Sequence, residues 1–184
     1  MEPKTAEGSI RISPNREVNK SLEIINESDQ MRIKHYLESA DVKSILASSE
    51  AEAHKNNWAV SIAVVDDGGH LLGFSRLDGA AAFSAHMAPA KAHTAALARR
   101  ETKIYEDIIN NGRYAFLTAP DVDGMLEGGV PILKDGQVIG AVGVSGVKST
   151  EDVQIAKAGI EAFYKQNPWA AKNLTSKAVW SGYS

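Results

Sequence analysis

Three features of the sequence predict an α+β fold. Two pairs of apolar runs each fold back across turn-forming residues, which predicts antiparallel hairpins. Helical patterns stand around them in the order helix, hairpin, two helices, hairpin, helix. The 184 residues, 43% of them hydrophobic, suffice for one real core in which helices cover the faces of the sheet. Hairpins cannot supply the parallel crossovers of a doubly wound dinucleotide-binding fold.

The elements follow in order. Residues 1–37 read as an arm, polar at first, with Pro3 and Pro14 and one short apolar patch, SLEII, at 21–25. The domain proper is placed at 38–167. Its first helix is capped by Ser39, carries Val42, Ile45, Leu46, Ser49 and Ala53 at helical spacing, and stops at Asn56-Asn57. WAVSIAVV from Trp58 is a largely buried strand, Asp66-Asp67-Gly68-Gly69 a tight turn, and HLLGFSRLD the returning strand. HMAPAKAHTAALARR is an Ala-rich helix in which Pro89 fits only near the first turn. Thr102 caps a short helix that ends at Asn111-Gly112. GGVPILK and QVIGAVGVS flank Asp135-Gly136, a dipeptide suited to the positive φ angles of a type I′ turn. The last helix is read with Ser149 and Asp152 as a capping-box variant, an apolar face of Val153, Ala156, Ile160 and Phe163, and Pro168 as its stop. Residues 168–184 form an aromatic tail with Leu174, Val179, Trp180 and Tyr183, a pattern expected to dock on its own domain or on a partner subunit.

Composition narrows the function. A net charge of -3 with no sustained basic run argues against a nucleic-acid binder. The absence of cysteine excludes disulfides, thiolate zinc sites, iron–sulfur ligation and a cysteine nucleophile. There is no secretory h-region and no long apolar span, so a cytoplasmic protein without membrane contact is expected.

Several motifs come close and fail. Gly140, Gly143 and Gly146 have the wrong spacing for a dinucleotide fingerprint and lie along a strand, where glycine lets another backbone or a ligand approach. Gly143-Val144-Ser145 lacks the last glycine of a nucleophile elbow. Asp121, Asp123 and Gly124 break the calcium-loop alternation at Met125. What remains is a polar set in the middle of the chain. His86 and His93 are two helical turns apart and share a face if the helix runs through Pro89. Lys91 is the lone charge inside the Ala-rich run, where small side chains imply close packing against another element. Each reads equally as an ordinary polar-face residue, as do Arg76 beside Asp78, Arg99-Arg100 at a helix end, and Glu127 before Gly128-Gly129.

Taken in order, the motifs resemble those of a known family. They are Ala63-Val64-Val65-Asp66-x-Gly68-Gly69, Arg76-x-Asp78-Gly79, Lys91-Ala92-x-Thr94, Arg99-Arg100-x-Thr102-Lys103, Glu127-Gly128-Gly129-Val130-Pro131-Ile132 and Asp135-Gly136-x-Val138-Ile139-Gly140-Ala141-x-Gly143-Val144-Ser145-Gly146. Residues 38–167 resemble the GlcG/HbpS family, often called the haem-degrading domain, and a similar domain ends the PduO-type cobalamin adenosyltransferases. The resemblance implies a profilin-like α/β/α sandwich around a five-stranded antiparallel sheet, and homo-oligomers built from dimers. Lys91, Thr102, Arg76 and the Glu127-Gly128-Gly129 turn match family positions. His86 stands where an acidic residue is common, and His93 where arginine or an aromatic residue is common.

Two functions from different classes follow. The first is binding of haem or a related small ligand, with degrading or accessory catabolic action. It would use His86 or His93 as axial donor to the haem iron, Arg76, Lys91 or Arg99 for the propionates, and Thr102 lining the pocket. The second is a small enzyme, a hydratase, isomerase or deaminase, acting on a carboxylated catabolic intermediate. There Lys91 and an arginine would clamp the carboxylate, with His86, His93 and Glu127 moving protons. A third role is that of a non-catalytic oligomeric partner joined through the tail.

Overall fold

The structure is a computed structural model and describes residues 33–167 and Trp169. Four strands form one sheet in the order β2-β1-β4-β3. They are β1 (Ser61–Asp66), β2 (Leu71–Arg76), β3 (Gly129–Lys134) and β4 (Gln137–Ser145), and every neighbouring pair is antiparallel. The helices are α1 (Ser39–Lys55), α2 (Ser84–Ala98), α3 (Lys103–Asn110) and α4 (Ser149–Gln166), with a 3₁₀ turn at Tyr114–Thr118. The α+β class and both hairpins stand as the sequence predicts. The strand count does not: the described residues hold four strands, not five.

Strand alternation divides the core. Ile62 and Val64 of β1, Val142 and Val144 of β4, and Val130 and Ile132 of β3 pack with Ile45 of α1 and Ile155, Ile160 and Phe163 of α4. Ala63, Val65 and Ala141 point the other way, onto Ala88, Ala92, Ala95 and Ala96 of α2. The two central strands are therefore covered on both faces, and they read as continuous apolar runs for that reason. The second face is built from small side chains, so α2 lies close to the sheet. A Cβ at Gly143 would come within 2.1 Å of the Ala88 carbonyl oxygen, which explains why the glycine-spaced strand carries no side chain there.

Local signals hold in outline and shift in detail. Asp135 and Gly136 take φ of 50° and 76°, as a type I′ turn requires. Asn57, at φ 56°, follows the end of α1. Thr102 precedes α3 as expected, whereas the other two caps move by one residue. Glu38, not Ser39, caps α1, and its N–H donates to Asp41 at 2.8 Å. Lys148, not Ser149, caps α4, with Glu151 accepting its N–H at 3.1 Å. Pro89 lies in the second turn of α2, and the helix continues through it.

The expected arm and tail lie largely outside the described residues, including SLEII, Leu174, Val179, Trp180 and Tyr183. Leu37 is buried in the core with α1 and α4. Trp169 packs edge-on against Phe163 and Tyr164 at 5.8 and 6.1 Å, with the Lys134 ammonium 4.6 Å from its ring centroid.

Candidate functional site

The polar set picked out in the sequence gathers around α2, and the helix splits it in two. Residues near Lys91 face the β3 side of the molecule, whereas His86 and His93 share a surface toward β2.

The Lys91 flank is closed. Lys91 is 3% exposed, and its Nζ donates to Asp152 Oδ2 at 2.9 Å and to the Val144 carbonyl at 3.1 Å. Asp152, 2% exposed in the first turn of α4, also accepts the Val147 N–H at 3.3 Å. Burial pushes the Asp152 carboxyl above its ordinary range, against the pull of the Lys91 ammonium beside it. The sequence placed Asp152 in a capping box; its carboxylate instead joins α4 to α2 beside the end of β4.

Around that pair each hydroxyl has a structural partner. Thr94 Oγ1 accepts the Gly124 N–H at 3.1 Å. Thr102 Oγ1 accepts the Gly129 N–H at 2.9 Å, and the Thr102 N–H donates back to the Gly129 carbonyl at 3.1 Å. Gly128 has φ +132°, and a Cβ there would stand 2.7 Å from Lys91 Nζ. The Glu127-Gly128-Gly129 turn thus presses its backbone onto the buried lysine. The Glu127 N–H donates to Glu106 Oε2 at 2.6 Å. Partial burial raises the Glu127 carboxyl, Lys103 counteracts it, and Glu106, Asp107 and Glu101 push it further up.

The other flank is open. His93 is half-buried and its Nδ1 lies 3.1 Å from the Gly69 carbonyl oxygen. A carbonyl only accepts, so Nδ1 carries the proton in the neutral ring and Nε2 keeps its lone pair. His86, seven positions earlier, is exposed on the same side of the continuous helix, about 10 Å along it.

β2 supplies the floor. Its register sets Arg76 opposite Ser61 and Phe74 opposite Ala63, so both side chains share the sheet face that α2 covers further in. Phe74 is 39% exposed and Leu71 56%, on either side of the slip in register between Gly73 and Leu71. Arg76 ends the strip, its Nη2 donating to the Ala80 carbonyl at 2.6 Å. Arg99 stands apart, exposed and left-handed at the C-cap of α2 with φ 57°.

Of the residues singled out in the sequence, His86, His93 and Arg76 therefore share one side of α2, and Lys91, Thr102 and Glu127 the other. Sequence reasoning missed the apolar floor of Leu71 and Phe74. The register exposes it, because Phe74 stands opposite Ala63 and Leu71 opposite Val65, both of which face α2.

An antiparallel sheet with helices on both faces, and a histidine held beside its edge strand, makes this a small α+β domain. The chain belongs to the HbpS-like family, whose model is described as "Haem degrading protein HbpS-like" and matches residues 37–161. It is 57% identical to protein GlcG of Escherichia coli (strain K12) over 115 residues, 62% of this chain and 85% of that one. Among solved structures it is similar to HbpS, with a TM-score of 0.66 and 27% identity over 72% of this chain and 93% of that one. It is also similar to PduOC in its haem complex, with a TM-score of 0.62 and 26% identity over 70% and 95%. Among the described residues no helix is long and apolar enough to cross a membrane.

Proposed function

We propose that the chain binds haem, or a closely related planar small ligand, in the slot between α2 and β2. The observation that carries this reading is the Nδ1 contact of His93 with the Gly69 carbonyl, which holds the ring and leaves Nε2 free as a donor. Haem needs an axial donor, an apolar surface and a cation for its propionates. His93, the Leu71 and Phe74 side chains, and Arg76 are of those kinds and lie on one side of α2. When bound, haem would supply the redox-active iron on which a degrading activity depends. The family match and the haem complex of the similar PduOC support the same reading.

His93 is preferred over His86 because His86 is exposed and no partner among the described residues orients its ring. Lys91 and Thr102, expected from the sequence to meet the ligand, hydrogen-bond within the fold to Asp152, Val144 and Gly129, so this reading does not use them, and Arg99 sits past the end of the slot. The alternative, an enzyme that clamps a carboxylated intermediate with Lys91, would need that ammonium free. It is held by Asp152, and Glu127 lies on the flank opposite the histidines.

The test compares haemin with iron-free protoporphyrin, titrated by absorbance against the full chain. Haemin is expected to bind one per chain with a defined Soret band, more tightly than the iron-free ring. In His93→Ala the two should bind alike, and Arg76→Ala should weaken both about tenfold through loss of a charge-assisted bond. Equal affinity of the wild type for both would remove histidine ligation. Absence of binding would remove the site.

A further inference from the structure

We propose that Asp66 is the positioning residue for the His93 donor, and that it acts through the single peptide unit between Gly69 and His70. The proposal deepens the haem reading and rests on it for the role of His93, while the arrangement itself is observable in the ligand-free chain.

The turn between β1 and β2 is closed by main-chain bonds only at its base. The Asp66 N–H donates to the His70 carbonyl at 2.9 Å, and the Gly69 N–H to the Asp66 carbonyl at 3.1 Å. The Asp66 side chain holds the rest. Its Oδ1 accepts the Gly68 N–H at 2.8 Å and the His70 N–H at 2.9 Å. Partial burial pushes the Asp66 carboxyl up, but the hydrogen bonds from His70 and Gly68 outweigh it and hold the group below its ordinary range. The carboxylate is therefore ionised at neutral pH, and its oxygens only accept. Asp66 is fixed in turn as the last residue of β1, paired with Gly140 of β4.

The His70 N–H and the Gly69 carbonyl are two ends of one peptide unit. Among the described residues every peptide bond is trans, so these two groups point in opposite directions across one rigid plane. Asp66 Oδ1 takes the N–H end, and the carbonyl end lies 3.1 Å from His93 Nδ1. Fixing one end aims the other. The plane needs such a hold because Gly69, at φ +80°, has no side chain to resist rotation. No side chain could be added there, since a Cβ would stand 2.3 Å from His93 Nδ1. The carboxylate is the group that keeps the peptide from turning its carbonyl away from the ring.

The chain of contacts thus runs from carboxylate to peptide to Nδ1–H and leaves Nε2 with its lone pair. It is the outer support that metal-binding histidines commonly receive, with one peptide unit interposed. The His70 ring also meets this carboxylate, Nδ1 to Oδ2 at 3.1 Å, but it is 81% exposed and takes no part in the path to His93.

The test reads the histidine tautomers of the ligand-free full chain by nitrogen-15 magnetic resonance at mildly alkaline pH, where the rings are neutral. His93 is expected as the Nδ1–H tautomer in the wild type and as mostly Nε2–H in Asp66→Ala. Haemin affinity should fall about 10–100-fold in the same variant. Asp66→Asn keeps an Oδ1 acceptor and should preserve the tautomer and most of the affinity. His70→Ala keeps both main-chain bonds to Oδ1 and should match the wild type. Where Asp66→Ala does not fold, Asp66→Val offers a strand former with no acceptor for the same comparison. A wild type that binds no haemin, yet shows the tautomer change on loss of Asp66, would support the positioning and remove the haem reading alone. A His93 tautomer indifferent to Asp66→Ala in a folded chain would overturn the proposal. So would an Asp66→Asn variant that behaves as Asp66→Ala, or loss of the His93 tautomer in His70→Ala.

Discussion

The two flanks of α2 carry residues of the same chemical kinds and put them to opposite uses. On one, a lysine, two threonines and a carboxylate are buried and matched to partners on β4, α4 and the turn before β3. On the other, two histidines and an arginine meet solvent above an apolar strip, with one ring nitrogen held and its mate free. Polar side chains in the same helix therefore mean different things according to whether their hydrogen-bonding capacity is already used within the fold.

The most severe way to break the closed flank is Lys91→Met. It leaves the Asp152 carboxylate buried without its counter-ion and is expected to cost about 3–5 kcal/mol in denaturant unfolding. Adding Asp152→Leu should recover most of the loss, since an apolar pair of similar volume removes the stranded charge. Thr102→Val is milder. It leaves the buried Gly129 N–H without an acceptor and should cost about 1–3 kcal/mol, measured the same way.

The open flank should respond less. His93→Ala removes one half-buried hydrogen bond and should change stability by about 0.5–1.5 kcal/mol. The smallest effect is expected at Glu127, and it depends on pH. Its carboxyl is raised in the folded state by partial burial, so its protonated form suits the fold. The stability linked to that proton is fully present below the ordinary carboxyl range and is lost as pH rises through the raised value. Glu127→Gln should match the wild type near pH 4 and exceed it at pH 7 by less than about 1 kcal/mol, read from melting curves across that range.

The sequence carried the fold further than the site. Both hairpins were legible because Asp135-Gly136 and the Asp66–Gly69 tetrad declare their turns locally, and the helices because apolar spacing and stop residues are local too. Cap residues shifted by one, since Glu38 and Lys148 begin their helices with backbone geometry and return bonds from Asp41 and Glu151. The pairing of Lys91 with Asp152 spans 61 residues and rests on the stacking of α2, β4 and α4, which no local pattern encodes. The shared face of His86 and His93 was legible from seven-residue spacing, whereas the contact that orients His93 comes from Gly69 in a distant turn. Lys91 was read as one of three cations for propionates and Thr102 as a pocket residue from its matching family position; side-chain chemistry alone does not tell a used hydrogen-bonding group from a free one.

The division between the flanks is tested most directly by measuring haemin binding and unfolding midpoint together in His93→Ala and Thr102→Val. The account predicts that His93→Ala loses the defined Soret band while its midpoint stays near that of the wild type, and that Thr102→Val binds haemin normally with a lowered midpoint. Retention of the Soret band in His93→Ala, or its loss in a Thr102→Val variant of undiminished stability, would contradict it.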